Sequence, residues 1–249
     1  MKKITYIIIL LLINTFTFAS NNKFEQANKL YSQNKFEDAL KYYEELISEG
    51  YSSPELFYNA ANTCYRLNLT GKAIYYYEKA KLLRPNDDDI NYNLELARLR
   101  VKNLPPEVPK IFPVRIFKKV VFSMSYKFWG VVSLLLFVLF LVFTYHYFTA
   151  VSSRLKKISF LSSIFILFFS INTFIFMQYQ LNRINNHNNA VIIKPEINAK
   201  SSPDDSSSDL FKIYEGYKAE IETKSDNWYE IKLTDGRKAW VKKDDLMIM

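Results

Sequence analysis

Residues 34–46 read NKFEDALKYYEEL and residues 68–80 read NLTGKAIYYYEKA. The two stretches lie 34 residues apart, and in that register Asn34 matches Asn68, Ala39 matches Ala73 and Leu40 matches Ile74. Tyr42 and Tyr43 likewise match Tyr76 and Tyr77, and Glu44 matches Glu78. A fixed period of this size marks one supersecondary unit repeated, and such units stack because a helix pair alone cannot cover both its faces. A small Ala where two helices cross permits close approach, and an aromatic one turn later fills the groove between units. Pro85 then closes the second unit.

These features resemble the tetratricopeptide repeat. The first unit runs over about 22–50 and closes near Gly50; the second runs over about 54–86. Pro54 suits the first turn of a helix, with Ser53 as its cap. A further helix is predicted over 87–101, with Asp87, Asp88 and Asp89 at its positive end and Arg98 and Arg100 at its negative end. It ends before Pro105-Pro106 and caps the stack. The chain departs from the motif at Lys23, where a large aromatic is usual. The resemblance implies that the first helix of each unit lines a concave surface. Equivalent positions there pair as Asn28 with Asn62, Tyr31 with Tyr65, Tyr58 with Tyr92, Asn59 with Asn93, and Arg66 with Arg100. Asn both donates and accepts toward a peptide backbone, and Tyr supplies amphipathic contact area. These ten residues are the candidate groove for a peptide or partner tail; solvated helix surface is the competing reading. Cys64 falls on a helix face that meets its neighbour, which makes it a small buried residue with no catalytic partner near it in sequence.

The flanking segments carry membrane signals. Residues 1–20 read as a signal peptide: Lys2-Lys3, an apolar run from Ile4 to Ile13, and Thr17-Phe18-Ala19 as a cleavage site. Residues 128–153 and 158–181 contain no Asp, Glu, Lys or Arg, and each is long enough to span a bilayer. Trp129, Tyr145, Tyr147 and Tyr179 sit where interfacial aromatics are expected. Residues 154–157 hold Arg154, Lys156 and Lys157 and read as a cytoplasmic loop, which sets both folded domains on the extracytoplasmic side of a bacterial inner membrane. Lys110, Arg115, Lys118, Lys119 and Lys127 pull the other way, a conflict that the signal peptide overrides. Residues 104–127 form an amphipathic juxtamembrane linker that lies on lipid.

After a polar linker at 182–189, the pattern changes to period two. Strands are predicted at 190–193, 211–214, 217–223, 228–233 and 238–241, with Asp235-Gly236 as a hairpin turn. Residues 190–249 resemble a bacterial SH3-like barrel through Asn198–Pro203, Glu215-Gly216, Asn227–Ile231 and Asp235–Val241. Lys200 stands where Arg is commoner, and Ala239 where Gly is usual. Tyr214, Trp228, Tyr229 and Trp240 are the candidate peptide platform, against a reading in which Trp240 and one Tyr are core.

The fold class is thus a multi-domain membrane protein: an α-helical repeat block at 21–103, two transmembrane helices and a C-terminal all-β barrel. The 249 residues carry a net charge of +8. By segment this is +2 at 1–20, zero at 21–103, +8 at 104–189 and −2 at 190–249. The excess lies beside the apolar runs, which argues for lipid and against nucleic acid. One Cys and two His exclude a disulfide framework and disfavour a metal centre, and no phosphate loop or catalytic constellation is present. No cofactor, metal or catalytic residue is expected. The order of modules across nearly the whole chain resembles the BatE family of aerotolerance-operon proteins. That resemblance implies an envelope scaffold or adaptor acting with von Willebrand factor A proteins and a MoxR-type ATPase. Binding of peptidoglycan peptides through the SH3-like segment is the alternative.

Overall fold

The computed structural model describes residues 22–106 and 111–249. The predicted signal peptide lies outside the described residues. Two compact units form, one from the helices before the apolar segments together with 187–249, the other from the residues between.

Among the described residues the first unit has five helices before the apolar segments: α1 (residues 22–32), α2 (Phe36–Ser48), α3 (Pro54–Arg66), α4 (Thr70–Leu83) and α5 (Asp88–Arg98). Their ends follow local chemistry. Asn34 and Asn68 both adopt φ 59°, so each is the left-handed residue that stops a helix. Behind them Lys35 N donates to Leu30 O at 3.0 Å and Leu69 N to Cys64 O at 2.9 Å, the same reach-back at the same repeat position. Gly50, at φ 90°, does this for α2. Ser53 accepts from Leu56 N to cap α3, and Asp87 accepts from Asp89 N and Ile90 N to cap α5. Ala27, Ala39, Ala60, Ala61, Ala73, Ala80 and Ala97 are all fully buried, which is what lets the helix axes approach.

Seven antiparallel strands follow: β1 (Asn189–Ile192), β2 (Glu196–Lys200), β3 (Asp209–Tyr214), β4 (Lys218–Ser225), β5 (Trp228–Leu233), β6 (Lys238–Lys242) and β7 (Leu246–Ile248). They lie in one sheet in the order β3-β2-β6-β5-β4-β1-β7. Two of these, β2 and β7, were not among the predicted strands; β2 alternates in burial but lies where the sequence shows a polar motif, and β7 has only three residues. Ile197, Ala199, Ile213, Ile221, Ile231, Leu233, Ala239 and Val241 form the buried face.

Helices and sheet share a single apolar core. α4 is the element between them, and it is buried nearly all round, including Gly71, Ile74, Tyr75, Tyr77 and Glu78. Its counterpart α2 buries only Ala39, Leu40, Tyr43 and Leu46, leaving Glu37 and Lys41 exposed where α4 has Gly71 and Tyr75.

The second unit contains α6 (Phe112–Val121), α7 (Tyr126–Thr149) and α8 (Ser153–Asn185). α7 and α8 are long and apolar enough to cross a bilayer, and only 6% and 17% of their most apolar stretches are buried. The core helix of a soluble protein would be mostly covered, so these helices have the character of a membrane protein. Ser133 Oγ donates to Ser170 O and Ser170 Oγ to Ser133 O, both at 3.0 Å, pinning the pair where Ser163, Ser170 and Thr173 line its seam. α8 starts at Ser153, so Arg154, Lys156 and Lys157 occupy its first turns and the connection is residues 150–152.

Candidate functional site

The candidate groove residues lie on α1, α3 and α5 and at the end of α5. Five of them, Asn28, Tyr58, Asn59, Asn62 and Asn93, make hydrogen bonds that form a ladder repeating with the helices. Tyr43 donates its hydroxyl to Asn28 Oδ1 at 2.6 Å, and one unit later Tyr77 donates to Asn62 Oδ1 at 2.5 Å. Asn59 Nδ2 also donates to Asn28 Oδ1, at 2.9 Å, and Asn93 Nδ2 donates to the Tyr58 hydroxyl at 2.8 Å. Burial pushes the Tyr43 and Tyr77 phenols well above their ordinary range, so both stay neutral donors. The asparagines therefore orient core tyrosines, and an amide has more hydrogen-bonding capacity than these contacts use.

The remaining groove candidates divide into two groups. Arg100 stacks its guanidinium 3.5 Å from the Tyr65 ring centre and donates to Tyr65 O and Asn68 Oδ1 at 3.1 Å each. Arg66 covers the Phe36 ring at 4.6 Å, and Tyr31 meets the same ring edge-on at 5.3 Å. Tyr92 is 66% exposed. Beside Tyr58 and Asn59 an open pocket of ≈ 280 Å³ is floored by Phe24 and Ile90 and rimmed by Glu55, Arg84 and Asp89.

The four aromatic candidates of the sheet do not form one platform. Successive residues of a strand face opposite sides. Trp228 and Trp240 lie on the outer face, partly exposed, where Trp228 pairs with Lys242 and Trp240 with Glu230 across β5 and β6. Lys242 also sits 5.4 Å from the Trp228 ring centre. Tyr229 and Tyr214 pack instead against the core, Tyr214 edge-on to Tyr217 at 6.0 Å. Trp240 is thus not a core residue of this sheet.

The most heavily built polar site is one that sequence reasoning missed, the junction of α4 with the sheet. Glu78 is 3% exposed and is held by Arg98 of α5 and Lys218 of β4, each at 2.7 Å. Burial pushes the Glu78 carboxyl up, but Lys218 and Arg98 outweigh it and hold it at about 2. Glu215 Oε2 accepts from Gly71 N at 2.9 Å, capping the start of α4, which has no cap of its own. Tyr75 donates to Ile248 O at 3.1 Å, and Tyr217 donates to Asn103 O. A Cβ at Gly71 would meet Ile192 O at 2.7 Å, and one at Gly216 would meet Ile74 and Val101, both at 2.6 Å. The repeat alignment holds the one available signal: Gly71 and Tyr75 replace Glu37 and Lys41 on the face that receives the sheet.

Cys64 is fully buried and its thiol is pushed up to about 12 by burial, so it is not a nucleophile at neutral pH. Among the described residues, no three His, Cys, Asp or Glu side chains gather as metal ligands. No protein-family model matches the chain, and no curated protein matches it significantly.

Proposed function

We propose that this chain is a membrane-anchored scaffold or adaptor of the bacterial envelope. In this reading α1–α5 are tetratricopeptide-like repeats, the sheet is an SH3-like barrel, and α7 and α8 anchor them in the inner membrane with both on the extracytoplasmic side. The partners are proteins, taken from the BatE resemblance as von Willebrand factor A proteins and a MoxR-type ATPase. One observation carries the reading: the sheet packs on α4, while the α1/α3/α5 side keeps an open pocket lined by Phe24, Tyr58, Asn59 and Ile90, and Tyr92 of α5 is exposed. A permanently docked sheet uses up one face of the repeats and leaves the other for a partner. Anchoring both in one plane raises effective concentration, so individually weak contacts suffice.

Crosslinking in intact cells, purification of the full chain in detergent and mass spectrometry of the crosslinked products test this. Recovery of von Willebrand factor A proteins or the ATPase, reduced by Tyr92→Ala, supports it; recovery of neither refutes the partner assignment.

A second reading draws on the outward tryptophans. Trp228 and Trp240 lie on one face with Lys242 and Glu230, a surface suited to peptidoglycan peptides. Sedimentation with purified sacculi tests it. The full chain is the proper reagent, because residues 187–249 share their core with the helices. Retention lost in Trp228→Ala favours cell wall; no retention favours protein.

A further inference from the structure

We infer that α6 and the adjoining end of α8 form a binding site for anionic phospholipid, recognised through its phosphate and acyl chains. The inference rests on the membrane-spanning reading of α7 and α8. Residues 111–186 contain eight Lys and Arg and no Asp or Glu, so within this unit no cation there has a carboxylate to pair with. At about 100° per residue, α6 divides into three strips. Phe117 and Val121 form the first, turned to α8: Phe117 meets Phe176 and Tyr179 edge-on at 6.0 and 5.4 Å, and Val121 is fully buried. Phe112, Ile116 and Val120 form the second and are 64%, 48% and 45% exposed. Arg115, Lys118 and Lys119 form the third.

The helix is held in place at its end. Val121 O accepts from Trp129 Nε1 at 2.8 Å and from Gln180 Nε2 at 2.7 Å, and Met124 O accepts from Gln180 at 2.9 Å. These bonds satisfy carbonyls that a helix end leaves open, and they fix α6 beside Trp129 and Tyr179, the aromatic level of the spans. Arg183 adds a fourth cation, its guanidinium 4.9 Å from the Phe122 ring centre. An exposed apolar strip beside an uncompensated cationic strip matches a two-part ligand: acyl chains along Phe112, Ile116 and Val120, phosphate against the cations. A neutral lipid would satisfy only the first half. Each Lys or Arg near an anionic surface contributes enough for roughly fivefold in association.

Trp129 reports on this junction, and Trp228→Phe with Trp240→Phe leaves it the sole fluorophore of the three tryptophans. The full chain in vesicles is quenched with brominated phosphatidylglycerol or brominated phosphatidylcholine. The expected result is a preference for phosphatidylglycerol of about fivefold or more. It falls to near parity in Arg115→Gln/Lys118→Gln/Lys119→Gln/Arg183→Gln and persists in the charge-keeping Arg115→Lys/Lys118→Arg/Lys119→Arg/Arg183→Lys. It also persists in Arg154→Gln/Lys156→Gln/Lys157→Gln, about 36 Å away along the 24 residues of α7. Equal quenching by the two lipids, or a preference lost only in the Arg154 set, overturns the site. Release of the chain from membranes by alkaline carbonate overturns the spanning reading beneath it, a separate outcome.

Discussion

Replacing Glu78 with Gln tests how the sheet is held to the helices. Glu78 is the one carboxylate that Arg98 and Lys218 share, at 2.7 Å each, across the α4–β4 junction. Its folded value near 2 lies below the ordinary 4.5. A depressed carboxylate stabilises the fold above its unfolded pKa, and that contribution is lost as pH falls toward the folded value. The shift is worth roughly 3 kcal/mol in full, and roughly 2 kcal/mol of it is gone by pH 3. At pH 7 the Gln variant loses the charge and leaves two cations without their shared partner. Breaking a buried pair typically costs about 3–5 kcal/mol. Arg98 keeps Glu95 at 2.9 Å and Lys218 is 28% exposed, so the lower end applies. Urea unfolding of the full chain in detergent, followed by tryptophan fluorescence from pH 7 to pH 3, reads the difference. The parent should approach the variant as pH falls, with the gap closing to about 1 kcal/mol at pH 3. Parallel curves for the two proteins, or a gap under about 1 kcal/mol at pH 7, would refute the assignment of Glu78 as the anchor.

Gly71→Ala should destabilise by about 1–3 kcal/mol by overpacking, reversing the usual gain of Ala over Gly inside a helix, because the new methyl meets Ile192 O at 2.7 Å; a higher urea midpoint would contradict this. Asn62→Ala should cost about 1–3 kcal/mol by leaving the buried Tyr77 hydroxyl unpaired, and Tyr77→Phe in the same background should recover part of it. A loss of partner capture in Asn62→Ala is therefore a stability effect until the double variant is measured. Cys64 should resist iodoacetamide in the folded chain and react once urea unfolds it, as mass spectrometry of the alkylated protein will show; labelling at neutral pH without denaturant would place the thiol outside the core.

How much of this was legible in the sequence follows from the range of the forces involved. The helix pairs and their period are written locally: Asn34 and Asn68 recur because a left-handed residue must end each first helix, and Ala39 and Ala73 because each crossing needs a small side chain. The two long apolar helices are equally local, since uninterrupted apolar composition alone marks them. Alternation reveals most strands, but β2 and β7 exist through pairing with distant partners, and only the sheet defines them. For the candidate site, spacing paired Asn28 with Asn62 and Asn59 with Asn93, yet it could not show that the Asn28 and Asn62 amides hold Tyr43 and Tyr77. Nor could alternation show which face of β5 and β6 is outward; that is decided by the core beneath Ile231 and Val241.

By itself, then, the sequence determined the repeating helix pairs, the apolar helices and the location of the +8 charge around them. Only the tertiary structure decided that residues on either side of the apolar helices form one body. The reason is that a contact such as Glu78 with Lys218 joins positions 140 residues apart. No periodicity encodes it, and its trace is two departures from the repeat, Gly71 for Glu37 and Tyr75 for Lys41. Their meaning appears once a second surface is packed against them.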